Sequence, residues 1–409
     1  MEVVITRCGG LDVHKATVVA TVRVPGESGR RRVVTETFGT MTPDLIALRE
    51  WLQAFGVTHV ALESTGVYWK PVYYVLEDAF ELLLVNMREL KHVPGKKTDV
   101  KDSDWLAQLL ECGLLRRSFV PPPPIRELRD ITRYRVQQTR ERSREVNRLQ
   151  KVLEDAGVKL TSVLTDIMGA SGRAMVEALV AGTTDPRVLA ELARGQLRKK
   201  LPALQRALVG RFRPVHAFLL EQILAKIDYL DEVLERLTTE IDRRVAPFEP
   251  MLTALDTIPG IDRIGAISLV AETGGDMTRF PSAAHLCSWG GMCPGHDESA
   301  GKRRSGKTRK ANRYLRSTLI QAGVAASHKK DSALRTLYAR VKGRRGHKKA
   351  VVATGHQILE IAYFVMRDGI TYRELGADYF QRCGREQTAR RHVRQLEALG
   401  YVVTVQPTA

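Results

Sequence analysis

The sequence predicts a mixed α/β domain followed by an all-α remainder. Three observations predict it. Strand-like runs broken by Gly and Pro open the chain and then alternate with helical periods. Helical periodicity is nearly unbroken from Arg126 to about Val245. A basic stretch from Gly301 to Lys349, with Asp331 its single acid, is interleaved with apolar residues at helical spacing.

The segments "VVITRCGGLDVHKATVVATVRVPG" and "RRVVTETFGTM" read as strands joined in hairpin fashion. "TPDLIALREWLQAFG" reads as a helix, with Thr42 as N-cap, Pro43 at the first helical position and Gly56 as C-cap. "VTHVALES" is a short buried strand, "YWKPVYYVLEDA" a helix starting near Pro71, and "FELLLVN" another buried strand. "DSDWLAQLLECGLL" is a helix. Pro121 to Pro124 favour an extended spacer and mark a boundary.

Beyond it, "LRDITRYRVQQTRERSREVNRLQKVLEDAG" and "HAFLLEQILAKIDYLDEVLERLTTEIDRRV" suit a coiled coil or a long helical hairpin. Shorter helices fill Lys159 to Pro214. "IPGIDRIGA", between two helical stretches, has the form of a helix-hairpin-helix, whose Gly-rich turn lets backbone N–H groups approach phosphates. The tail from Thr371 is expected to hold a basic helix and a closing strand. The expected divisions are 1–120, 125–248, 249–368 and 369–409.

The net charge of +18 points to a polyanionic partner, most simply nucleic acid. It is unevenly placed. Met1 to Asp104 carries about thirteen Lys and Arg against about fourteen Asp and Glu, so the excess lies downstream. The basic run is therefore read as a phosphate-contacting surface ahead of a merely solvated face. Five scattered cysteines argue against a disulfide framework and for a reducing compartment. His285, Cys287, Cys293 and His296 lie close together in "HLCSWGGMCPGH", but their spacing fits no common zinc pattern, and small buried cysteines are the expected reading. No apolar run approaches the roughly 18 residues needed to span a membrane. The expectation is a soluble intracellular protein.

Four carboxylates stand out. Asp12 lies in the first strand and Glu63 ends the buried strand "HVALES". Asp99 and Asp102, three apart, open the helix after "KKTDVKD". Capping accounts for an Asp at a helix start. It does not account for a strand-borne Glu, which is costly to bury alone. If the first and fourth strands are adjacent, Asp12 and Glu63 converge with the helix-borne pair. Such a cluster requires cations, and hard oxygen ligands select Mg²⁺ or Mn²⁺. Two such ions suit attack on a phosphodiester. Asp104 points to a different helical face and reads as a surface residue.

"GLDVHK", "ALESTGVYW" and "KTDVKDSDWLAQLL" resemble the RuvC-type, RNase H-like domain of DEDD transposases from bacterial insertion sequences. "IPGIDRIGAISLVAE" and "RFPSAAHLCSWGGMCPGHDESAGKRRSGKTRKANRYLR" resemble the second conserved domain of that family. The resemblance implies a transposase domain over 249–368 and a recombinase that cleaves and rejoins donor and target DNA. It implies guidance by a structured bridge RNA, action as a homo-oligomer (a dimer or tetramer), and a cytoplasmic, nucleoid-associated location. Carried over, the metal-binding acids are Asp12, Glu63, Asp99 and Asp102, and a nucleophilic serine falls on Ser299. Ser103 and Ala300 depart from the residues common beside these positions, and Ser305 is a rival loop serine. Arg303, Arg304, Lys307, Arg309, Lys310, Arg313 and Arg316 are the expected nucleic-acid contacts. The rival readings are a junction-resolving nuclease of the same fold that uses water, and a non-catalytic nucleic-acid scaffold whose acids are caps.

Overall fold

The structure is a computed structural model that describes residues 3–27, 30–64, 66–86, 102–295, 297–299 and 302–404. The chain divides into two compact units, Met1–Pro121 and Pro122–Ala409.

The first unit is built on a five-stranded mixed sheet of order β3-β2-β1-β4-β5. Its strands are β1 (Cys8–Val13), β2 (Thr17–Pro25), β3 (Arg31–Gly39), β4 (His59–Glu63) and β5 (Glu81–Val85). The first three form an antiparallel meander, and β4 and β5 add in parallel to β1. Parallel addition needs crossovers, which α1 (Thr42–Ala54) and α2 (Trp69–Leu76) supply. They cover one face: Leu11, Val13, Val60 and Leu62 pack with Leu45, Leu48, Leu52, Val72 and Leu76. Alternation sends Cys8 and Ala61 to the opposite face, where Leu106, Leu109 and Leu110 of α3 (Asp102–Glu111) meet them.

Gly10 sets how closely α3 approaches. A Cβ there would stand 2.1 Å from the carbonyl oxygen of Ser103 and 2.5 Å from the backbone nitrogen of Ala107. The Ser103 hydroxyl is bonded to that of Thr21 at 2.8 Å, which fixes the start of α3 over β2.

In the second unit, α4 (Pro123–Asp155) pairs with α8 (Pro214–Val245). The pair is antiparallel: Ile125 and Leu128 share one core with Ile241 and Val245, while Leu149 and Leu153 share another with Leu220 and Leu224. The latter core is closed by α5 (Ala170–Val180), α6 (Pro186–Glu191) and α7 (Leu201–Ala207). The former belongs to α9 (Glu249–Asp256), α10 (Arg263–Thr273), α11 (Ala283–Trp289), α12 (Arg313–Ala326) and α14 (His347–Asp368). α13 (Ala333–Arg345) packs on α14, and α15 (Tyr379–Ala398) touches α13. Between α11 and α12 lies a hairpin of β6 (Asp297–Ser299) and β7 (Lys302–Ser305).

Three expectations are corrected. Pro123 and Pro124 lie inside the first turn of α4 rather than in a spacer, because first-turn N–H groups have no intrahelical partner and proline loses nothing there. The first helix takes Met41 rather than Thr42 as its N-cap residue. Residues 401–404 form no strand. Among the described residues, no helix is long and apolar enough to cross a membrane.

The long helix α4 is tied to the C-terminal core through Glu272, which is 2 % exposed. Its carboxylate accepts from Arg133 at 2.7 and 2.6 Å and from Asn312 Nδ2 at 2.5 Å. Arg129 donates to the carbonyls of Ala271 and Glu272, both at 2.9 Å. Burial lowers the Arg129 pKa to about 10, against the raising effect of Glu272. Removing one member strands the opposite charges without a partner. Glu272→Ala is expected to cost about 3–5 kcal/mol. The measurement is amide exchange in α10, which should accelerate; exchange at the wild-type rate would show the pair to be dispensable.

Candidate catalytic site and nucleic-acid surface

The site in the first unit begins with strand register. Gly10 of β1 faces Ala61 of β4, and Leu11 faces Leu62. One step further along the same parallel register sets Asp12 beside Glu63. Neighbouring strands lie about 4.8 Å apart, so two carboxylates sit at adjoining strand ends. Both belong by alternation to the face that α3 covers. Asp102 is the first described residue of that helix, and Gly10 draws this end of the helix down onto β1. All three acids are half-buried. Asp99 lies outside the described residues.

The three described acids do not close to within 4.8 Å of one another. Like charges repel at short range and need a cation between them to converge. Their donor set is all oxygen, which fits a hard divalent ion. Asp12 Oδ2 already has one basic neighbour, His14 Nε2 at 3.1 Å. His14 escaped the sequence reading; its only signal is the two-residue spacing in "DVHK". Asp104 is corrected from a free surface position. It is half-buried and bonded to Arg23 at 2.8 Å, and Arg23 also reaches Glu111 at 3.0 Å.

In the second unit the hairpin is anchored at its base by a bridge between Pro294 and Thr308 and by the Gly295 amide donating to the Lys307 carbonyl at 2.9 Å. Ser299 pairs with Lys302 at its far end, and Asp297 with Ser305 nearer the base. The Ser305 hydroxyl accepts from the Lys307 amide at 3.2 Å, the local backbone bond common for a loop serine. The side chains of Ser299, Arg303 and Arg304 lie outside the described set.

Lys302, Lys307, Arg309, Lys310 and Arg313 are exposed. Arg316 is not free in the same way: its guanidinium donates to the Gly291 carbonyl at 3.0 Å and to the Thr308 hydroxyl, bracing the hairpin base. Among the described residues of the run, Arg316 therefore has a structural role.

The sequence reading also missed Tyr314. The guanidiniums of Arg133, Arg140 and Arg313 stand 4.9, 5.9 and 4.9 Å from its ring centre, two of them contributed by α4. Burial would raise its hydroxyl pKa. Bonds from Gln137 and Arg313 and the nearby positive charge prevail and lower it. A cleft of about 620 Å³ on one side is lined by Arg129, Arg133, Trp289 and Arg313. Another of about 630 Å³ is lined by Arg135, Arg140, Gly260 and Asp262. Gly260 has φ +90°, and a Cβ there would meet the Ala322 carbonyl at 2.2 Å, so the turn packs directly on α12. Asp262 caps α10 by accepting from the Gly265 amide at 2.7 Å. No sequence period links α4 to Tyr314; only packing joins them.

A five-stranded mixed sheet with acids at adjoining strand ends is consistent with an RNase H-like DEDD transposase. Residues 9–157 match the family model for IS110-type DEDD transposases, described as "Transposase". Residues 252–339 match that of the "Transposase IS116/IS110/IS902 family". The chain belongs to the IS110 family of DEDD transposases.

It is 35% identical over 130 residues to the "Insertion element IS110 uncharacterized 43.6 kDa protein" of Streptomyces coelicolor, covering 31% of this chain and 30% of that one. It is 33% identical over 120 residues to the "Insertion element IS900 uncharacterized 42 kDa protein" of Mycobacterium paratuberculosis, covering 28% of this chain and 29% of that one. These similarities span less than a third of either relative.

Proposed function

We propose that this protein is the DNA transposase of an insertion sequence, cleaving and rejoining DNA strands. The observation that carries the reading is the placement of Asp12 and Glu63 at adjoining ends of parallel strands, with the start of α3 drawn over them by Gly10. The sheet order supports an RNase H-like, RuvC-type domain over 1–120. Asp12, Glu63, Asp99 and Asp102 would hold Mg²⁺ or Mn²⁺, which would polarise a phosphate and stabilise developing charge. His14 sits beside Asp12 and orients it.

In the proposed division, the coiled-coil helices fill 125–248, the transposase domain with its helix-hairpin-helix fills 249–368, and 369–409 is an appendage. Ser299 is the proposed nucleophile. Ser305 is the weaker candidate because its hydroxyl is already engaged by backbone. Lys302, Lys307, Arg309, Lys310 and Arg313 would contact phosphates, joined by Arg303 and Arg304. Tyr314 offers an aromatic face among arginines, on which an unpaired base can stack. A structured guide RNA, a homo-oligomer and a cytoplasmic, nucleoid-associated location complete the proposal.

The test is recombination between donor and target DNA by purified protein with its copurified RNA, with and without Mg²⁺. Sequencing the bound RNA identifies the guide. Cleavage without rejoining would favour a junction nuclease, and binding without cleavage a scaffold. Replacing Lys302, Lys307, Arg309 and Lys310 together is expected to weaken binding and flatten its salt dependence by about three to four counterions, since each phosphate contact contributes close to one. An unchanged salt slope would make the run a solvated face.

A further inference from the structure

Cys287 lies in α11 and is fully buried. Cys293 follows in the segment that leads to β6. α14 packs against α11 and brings His356 and Glu360 to the same place, one turn apart on one helix face. The Cys287 sulfur, a His356 ring nitrogen and a Glu360 oxygen all lie within 4.8 Å of one another. His356 Nδ1 is 3.9 Å from Cys293 Sγ, and His356 Nε2 is 3.4 Å from Glu360 Oε1.

We propose that Cys287, Cys293, His356 and Glu360 form a zinc site that fastens the base of the Ser299 hairpin to α14.

The chemistry of the donors selects the ion. Thiolates and imidazole favour a borderline-soft metal and disfavour magnesium. Tetrahedral zinc with sulfur and nitrogen ligands sets its donor atoms about 3.3–3.8 Å apart. The 3.4 and 3.9 Å contacts reach opposite nitrogens of the His356 ring, so one of them is a ligand-to-ligand spacing around a single ion and the other closes as the ring turns. Zinc takes one nitrogen of the ring; Cys287, His356 and Glu360 need to close by no more than about 1.5 Å, and Cys293, outside that group of three, moves further to supply the fourth ligand.

Without metal, Cys287 can donate its weak S–H to the His356 carbonyl at 3.8 Å. Burial, and then the charge of Glu360, pushes both thiols above their usual pKa, so they stay protonated and unreactive. Zinc binding releases both protons and replaces this loose contact with a cross-link. The linkage matters because Cys293 precedes Pro294, where the hairpin base is bridged to Thr308. The scattered spacing hides the site: the second pair of ligands comes from a helix far along the chain.

The full-length chain, purified without chelator, is expected to retain about one zinc per chain by elemental analysis. Exchange with cobalt should give a thiolate-to-cobalt charge-transfer band and intense visible bands of a tetrahedral site. Cobalt held by the carboxylates of the first unit would not give the thiolate band. Cys293→Ser and Glu360→Gln, both at partly exposed positions, should keep wild-type circular dichroism and lower zinc affinity at least about ten-fold. Cys287→Ser is not needed, so a folding failure in the buried core does not obscure the result. Zinc should also slow amide exchange in residues 292–295 and 305–308.

Absence of zinc together with absence of the thiolate–cobalt band would overturn the site. A Cys287–Cys293 disulfide found by mass spectrometry would overturn it as well. Bound zinc with unchanged exchange would overturn the fastening role.

Discussion

Alanine at Asp12, Glu63, Asp99 or Asp102 is expected to lower recombination at least about a thousand-fold, because metal-ion charge stabilisation is worth several kcal/mol. The fold should survive each change. Asp12 and Glu63 sit side by side in the sheet register, so removing one relieves repulsion between like charges. Thermal stability is therefore expected to hold or rise in Asp12→Ala and Glu63→Ala. That combination separates a catalytic role from a structural one. If Asp102 were only a helix cap, its loss would cost about 1 kcal/mol and leave recombination intact. Asp104→Ala is the internal control. It breaks the contact with Arg23 and is expected to reduce stability while sparing chemistry. Wild-type recombination in two or more of the four acid variants would return them to capping and surface roles.

Ser299→Ala is expected to abolish recombination and the covalent protein–DNA intermediate while preserving RNA and DNA binding. The proposed step is a displacement at phosphorus. The serine oxygen forms a bond to phosphorus, the bond from phosphorus to a sugar oxygen breaks, the hydroxyl proton is lost and the leaving oxygen gains one. A serine hydroxyl is a weak nucleophile, so it needs a nearby positive field to stabilise the charge that develops. The hairpin supplies one: Lys302 pairs with Ser299 across the strands, and Lys307, Arg309 and Lys310 follow. Ser305→Ala should retain both the adduct and the recombinant, since its hydroxyl serves the Lys307 amide. Peptide mapping of a reaction trapped with nicked DNA decides the matter. An adduct on Ser305 would sink the assignment. Cleavage with no adduct would favour hydrolysis by water.

Where the sequence reading succeeded, the signal was local. The strands around Leu11, Val60 and Leu82 are recognisable because short apolar runs bounded by turn residues leave little choice of element. The long helices containing Leu128 and Leu224 are recognisable by their apolar spacing. Asp12 and Glu63 are conspicuous because a charge at the end of an apolar strand contradicts its surroundings. Where it failed, the deciding partner was distant. Asp104 reads as a surface acid until Arg23, on β2, is seen against it. Arg316 reads as one cation of a basic run until Gly291 accepts from it. The proline run reads as a spacer because sequence gives residue type but not which backbone N–H groups need partners.

The sequence by itself determined the element types, the uneven distribution of charge, and the acids on which the functional reading rests. These depend on side-chain chemistry and on spacing within a turn or a strand. Tertiary structure alone decided the register that sets Asp12 beside Glu63, the approach of α3 permitted by Gly10, the burial of Glu272 against Arg133, and the meeting of Cys287 with His356. Each joins residues far apart in the chain. Such contacts form only when the whole core closes, because ordering the intervening chain is costly and no local period encodes its partner.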